Sequence, residues 1–277
     1  MSYSSVLRSI FTPVFAILLS AVILTGCGKK AEEESQKEES SGESKSASSK
    51  NGREEWVQKM EANVKVFRAA KAEKAASCIA ERFPEGKVAF LIEEVFYNDP
   101  ESEYRIVLDE IRKRLSEKGI SCDDVLTIRT GGDETAAKKA ADPEEAFAKD
   151  LNTALADVQN SVDIVVNFAG LPKSDKGFQA VRFLRGSSAS GRNNMLLMTD
   201  TGLDFIPREM IRSRRVCAIL DYVTPHGPGC EFDITKDTAP KDLAEAFDYL
   251  YFFLDDDSFE GFDAGRRTGM YRGDDKI

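Results

Sequence analysis

Histidine is almost missing. One residue, His226, serves all 277 positions, which excludes multi-histidine metal sites and histidine proton relays. No C-x-x-C pair occurs, so a thioredoxin-type role is disfavoured. The turn after the first candidate strand, EEVFYNDPES, has no glycine, and no GxxxxGK[ST] occurs anywhere. Dinucleotide and P-loop phosphate cradles are therefore excluded. Basic side chains are outnumbered 38 to 48, giving a net charge of −10 and a pI near 4.9. That balance argues against unaided binding to nucleic acid or anionic headgroups. What is present, at 42% hydrophobic residues, suffices for one sizeable domain.

The amino terminus reads as an address. Arg8 precedes a nearly unbroken apolar run from Ile10 to Leu24, the length of a signal-peptide h-region and short for a membrane span. The run ends in Leu24-Thr25-Gly26-Cys27, which resembles a bacterial lipoprotein lipobox. The resemblance implies a signal peptide over 1–26, cleavage before Cys27 and acylation (palmitate among the chains) at that residue. The partner it implies is a membrane, held through the lipid. Gly28 in the second mature position is not Asp, which favours the outer membrane where the source has one. Residues 27–52 then form a lipidated tether. From Lys29 to Gly52 there are six Glu, five Lys and seven Ser and no large apolar residue. Nothing there offsets the cost of ordering the chain, and its r.m.s. reach is roughly 27 Å.

Residues 53–277 read as one α/β domain. Trp56, Met60, Val64 and Phe67 start a long helical pattern that ends near Arg82. The apolar run at 87–94 predicts a buried strand, and 125–129, 162–168, 195–199 and 216–223 predict four more strands. Helical patterns separate them. One is opened by Asp99 and Pro100, with Tyr104, Val107, Leu108, Ile111 and Leu115 on one face. Another is opened by Asp142 and Pro143, with Phe147, Leu151, Leu155 and Val158 inward. Shorter helices are expected near 175–184 and 207–213. A final amphipathic helix carries Leu243, Ala246, Phe247, Leu250 and Leu254, with loose structure expected from about Asp255. Right-handed crossovers then favour a doubly wound, flavodoxin-like parallel sheet of about five strands in the order 2-1-3-4-5.

In such sheets ligands bind beyond the carboxyl ends of the strands. The residues expected there are Tyr97, Asp133, Asn167, Phe168, Asp200, Thr201, Asp221 and Tyr222. Carboxylates and amides hydrogen-bond hydroxyls, and rings cover apolar C–H faces, so this rim suits a sugar-like polar ligand. A phosphoacceptor receiver fits less well, because Asn167 stands where the third strand would need a carboxylate and no lysine ends the fifth. The segments KVAFLIEE, VDIVVNFAG, NNMLLMTDTG and RVCAILDYV, spanning about residues 85–224, distantly resemble type I periplasmic substrate-binding proteins. That resemblance implies ligand capture between two lobes, whereas strands for one lobe are present. The expectation is a non-catalytic binding or interaction module of the cell envelope, taking a polar ligand or a partner protein, with no cofactor. The alternatives are a carboxylate-based hydrolase and a structural lipoprotein without a ligand.

Other motifs are weaker. A calcium loop starting at Asp256 fails at its twelfth position, Arg267, where a bidentate Glu is needed. Gly186 to Gly191 lacks the G-x-S-x-G spacing, and His226 is read as a loop residue without catalytic duty. Beyond Cys27, the four cysteines Cys78, Cys122, Cys217 and Cys230 allow three pairings. Cys122 and Cys217 should lie on opposite sheet edges, ~19 Å apart. Cys78 with Cys122 is the least strained pairing, but the favoured reading is four unpaired thiols, with Cys217 in the core.

Overall fold

A computed structural model of the protein describes residues 44–129, 142–188, 191–221, 232–233 and 236–261. The chain divides into two compact units, Met1–Ser48 and Ser49–Ile277, and the second holds the sheet. Helix α1 (Ser44–Arg82) leads into strand β1 (Lys87–Glu93). It starts nine residues before position 53, in a Ser- and Lys-rich stretch where Ala47 alone could register no apolar period. Short α2 (Glu94–Tyr97) and long α3 (Glu103–Glu117) follow, then β2 (Ser121–Ile128). Asp99 does not cap α3. Its carboxylate accepts from Glu101 N at 3.0 Å, and Ser102 N bonds back to Asp99 O at 3.1 Å. The Asp-Pro pair is thus spent on a turn, and the helix starts after Ser102.

Helix α4 (Pro143–Leu155) opens as the sequence predicts, with Asp142 accepting from Glu144 N at 2.9 Å. Strand β3 (Ile164–Asn167) and α5 (Asp175–Ala180) come next. The helical pattern expected over 175–184 divides into α5 and a 3-10 turn at Phe183–Arg185. A two-residue ribbon, β4 (Ser187–Ser188) with β5 (Gly191–Arg192), precedes β6 (Asn194–Leu197). Then come α6 (Arg208–Arg212), β7 (Val216–Asp221), α7 (Leu243–Leu250) and β8 (Tyr251–Leu254).

The main sheet has the order β2-β1-β3-β6-β7-β8. Its first five strands are parallel and reproduce the expected winding. The sixth, β8, adds an antiparallel edge, with Asp221 opposite Tyr251 and Ala218 opposite Leu254. Leu254 therefore belongs to a strand and not to the last helix.

Strand side chains alternate between two cores, as the two-residue period requires. Val88, Phe90, Ile92, Ile164, Val166, Cys217 and Ile219 face α1, α3 and α7. Ala89, Leu91, Val165, Val216, Ala218 and Leu220 face α4, α5 and α6. Burial on both faces explains why these strands read as continuous apolar runs. Helix α1 runs antiparallel to β7. Lys71 meets Asp221 at the end of that strand and Arg82 meets Cys217 near its start. Residues 71 to 82 of a helix span ~16 Å, enough to match β7 along its length.

Candidate functional site

Two groups of residues occupy the carboxyl edge of the sheet. The first is built by the loops after β3 and β6. Asn167 ends β3 with no exposed surface. Its side-chain carbonyl accepts from Ala169 N at 2.8 Å and Gly170 N at 3.0 Å, while its NH₂ donates to Gly170 O at 2.9 Å. A polar side chain at a strand end is satisfied here by its own turn, so it points away from solvent. Leu171 N then donates to Thr201 O at 3.0 Å and Met198 N to Asn167 O at 2.9 Å, which ties the two loops together. Close approach is possible because Gly170 and Gly202 take φ values of +81° and +78° and have no side chain. A Cβ on Gly202 would stand 2.3 Å from Leu171 O.

On this paired platform Thr201 N bonds Thr199 Oγ1 at 3.2 Å, and the two hydroxyls lie 3.1 Å apart. Asp200 is half-buried. Its side chain has no hydrogen-bond or ion-pair partner among the described residues.

The second group joins the ends of β7 and β8 to α1 and α3. Lys71 is buried, and its ammonium donates to Asp221 Oδ1 at 3.2 Å. It also lies 4.9 Å from the centre of the Tyr251 ring. Next to it, Arg68 bonds Glu103 through Nη2 at 3.1 Å and Nε at 3.3 Å. Tyr104 follows Glu103 on α3. Its ring packs on Phe96 at 4.9 Å and meets the edge of Phe168 at 6.1 Å.

The electrostatics follow from that packing. Burial alone would depress the Lys71 pKa. The charges of Asp221 and Glu103 outweigh it, so the ammonium is held above its ordinary 10.5. Burial raises Tyr104, only partly opposed by Lys71. Burial, with Asp221 and Glu103 adding to it, raises Tyr251 well above 10.0. At neutral pH the buried part of the cluster therefore holds a lysine cation and two neutral phenols.

The sequence-derived rim is thus divided. Asn167 and Phe168 are buried. Asp200 and Thr201 share the loop platform. Asp221 is held by Lys71, and Tyr97 stacks under Arg105, whose guanidinium carbon is 4.1 Å from the ring centre. Asp133, Tyr222, His226, Cys230 and Cys27 lie outside the described residues.

Arg68, Lys71, Glu103, Tyr104 and Tyr251 were not foreseen as site residues. A signal for Lys71 existed. It stands four residues after Phe67 and four before Ala75, on the helix face that is otherwise apolar. A lysine on such a face needs a buried partner.

Asp255, Asp256 and Asp257 also cluster, but Arg214 pairs with both Asp256 and Asp257. Among the described residues no helix is long and apolar enough to cross a membrane.

No protein-family model and no curated protein matches the sequence. Similar solved structures include an ABC transporter solute-binding protein from Burkholderia graminis C4D1M in complex with D-arabinose. It is 14% identical with a TM-score of 0.33, over 55% of this chain and 46% of that one. A glucose-galactose binding protein from Geobacillus stearothermophilus is 10% identical with a TM-score of 0.33, over 56% and 47%. An arabinose binding protein from the same organism is 14% identical with a TM-score of 0.38, over 71% and 63%. The chain spans 46% to 63% of the length of these proteins.

Proposed function

We propose that the chain is a lipid-anchored envelope protein whose α/β domain binds a neutral, sugar-like polar ligand at the carboxyl edge of its sheet. The supporting observation is Asp221. Its side chain remains 32% exposed while Lys71 holds it from behind, and the Tyr251 ring lies against the same ammonium. A carboxylate with a fixed direction beside aromatic rings is a ready acceptor for paired hydroxyls. Asp200, at the end of the neighbouring loop, offers a second acceptor. In this reading residues 1–26 are the signal peptide, Cys27 carries the lipid, and the segment up to residue 52 spaces the domain from the membrane.

The binding half is tested by thermal unfolding of the domain against a panel of pentoses and hexoses. A ligand at 100 times its Kd adds ~2.7 kcal/mol of apparent stability, and Asp200→Asn should weaken that gain without changing the unliganded midpoint. A panel in which no sugar raises the midpoint rejects the reading. The anchoring half is tested separately, by mass spectrometry of the mature amino-terminal peptide. An acylated Cys27 supports it, and an intact leader rejects it.

A further inference from the structure

Charge at the carboxyl edge of the sheet is matched pair by pair, with one exception. Lys71, Arg68 and Arg105 stand there beside the aromatic rings, and each is already held. Lys71 gives its ammonium to Asp221 at 3.2 Å, and Arg68 bonds Glu103 at 3.1 Å and 3.3 Å. Arg105 bonds Asp109 at 2.7 Å and Tyr97 O at 3.0 Å. Arg129, past the end of β2, pairs with Glu94 at 3.2 Å. Lys173 is exposed on the loop after β3, but its N–H is tied to Glu144 at the start of α4, which packs on the other face of the sheet. The exception is Asp200. It follows Met198 by two residues, and Met198 faces the α1, α3 and α7 core. Leu197 is the register partner of Ala218 in the parallel pair β6–β7, and Asp200 and Asp221 each stand three residues further on. The two carboxylates therefore leave the ends of adjacent strands, which run ~4.8 Å apart.

A second group is also left open. Tyr251 stands opposite Asp221 in the antiparallel β7–β8 pair, so the two side chains project from the same face of the sheet. Tyr251 is 7% exposed. Its hydroxyl has no hydrogen-bond partner among the described residues, and it is not one of the sealed unpartnered atoms. A phenol buried to this degree and left open at its oxygen is satisfied from outside the chain.

We propose that this edge selects uncharged polyhydroxyl ligands against their acidic counterparts, uronates and sugar phosphates, with Asp200 as the excluding residue and the Tyr251 hydroxyl as a ligand contact beside Asp221. The inference rests on the reading of this edge as a sugar site. One ligand hydroxyl donates to Asp221 and its neighbour pairs with the Tyr251 hydroxyl, and neither bond needs a charge on the ligand. A carboxylate or phosphate brought to the same place meets Asp200 and the exposed side of Asp221, and the cations beside it are all engaged. Its lost hydration goes unanswered and like charges repel. Arg68 and Lys71 can turn to it only by leaving Glu103 and Asp221 unpaired.

The experiment measures binding to the folded full-length chain by calorimetry at fixed ionic strength. Glucose and galactose are set against glucuronate, galacturonate and glucose 6-phosphate. The neutral sugar should bind at least ~10-fold more tightly than its acid. Asp200→Asn should cut that ratio to about threefold or less, with an unchanged unliganded melting midpoint as the check on folding. Tyr251→Phe keeps the ring and loses only the oxygen, so it should weaken the neutral sugar roughly tenfold. An acid bound as tightly as its neutral parent overturns the exclusion and leaves the sugar reading standing, as does a ratio that survives Asp200→Asn. Unchanged affinity in Tyr251→Phe overturns the contact. A chain that binds neither class rejects the sugar reading and this inference together.

Discussion

Lys71 and Asp221, 150 positions apart in sequence, meet at 3.2 Å where α1 crosses the carboxyl end of β7. The pair is unequal. Ten per cent of the lysine side chain is exposed against 32% of the aspartate. Removing the lysine leaves a carboxylate that water can reach, whereas removing the aspartate leaves a buried ammonium without its hydrogen-bonded partner. Lys71→Met should cost about 1–2 kcal/mol and Asp221→Ala about 3 kcal/mol. Urea unfolding of the two variants checks the order. The double variant Lys71→Met/Asp221→Ala should be no less stable than Asp221→Ala alone.

Alkali should weaken the fold through the same cluster. Lys71 is raised above 10.5, and Tyr104 and Tyr251 above 10.0. The folded chain holds these protons more tightly than the unfolded chain does. Their stabilisation is complete below the unfolded values and is lost as pH rises through the folded ones. Denaturation midpoints measured from pH 8 to pH 11.5 should start to fall near pH 10. Tyr251→Phe should make that fall shallower.

Glycine positions separate backbone strain from collision. Gly119 and Gly202 have nearly the same φ, +76° and +78°. Around Gly119 a Cβ would meet nothing within 4 Å, while at Gly202 it would stand 2.3 Å from Leu171 O. Gly119→Ala should cost about 1 kcal/mol, the left-handed penalty alone. Gly202→Ala should cost at least ~3 kcal/mol and loosen the loop platform. Equilibrium unfolding of both proteins provides the comparison.

Asn167 should behave as a structural amide. Asn167→Ala removes its turn bonds from a fully buried site and should cost about 2–4 kcal/mol. Asn167→Asp keeps the acceptor for Ala169 and Gly170 N–H but turns a second oxygen toward Gly170 O, which now receives an N–H at 2.9 Å. That variant should be more stable near pH 4 than at pH 7, relative to wild type. Thermal melts at the two pH values decide it.

The central strands β1, β3, β6 and β7 were legible because they are buried on both faces. Runs such as Val88 to Ile92 admit few other readings, and Asp142-Pro143 marks a helix start by its own chemistry. Strand β8 was hidden for the opposite reason. Leu250 and Tyr251 pass from helix to strand with no glycine or proline between them, and Leu254 fits the helical period as well as the strand. The fate of Asn167 was also unreadable, since a strand-end amide serves a ligand or its own turn with equal ease. The Lys71 cluster depends on pairs 150 residues apart. Local periodicity flags the odd lysine on the apolar face of α1 but cannot say which carboxylate answers it.

The docking of α1 also bears on how the chain acquires its shape. The bonds that fix it to β7 join residues 135 and 150 positions apart. An element made early on the ribosome must therefore wait for strands made late, with its apolar flank uncovered meanwhile. Long-range closure of this kind slows folding and leaves the nascent chain open to aggregation. Among the described residues, the first helix to emerge is among the last to find its seat.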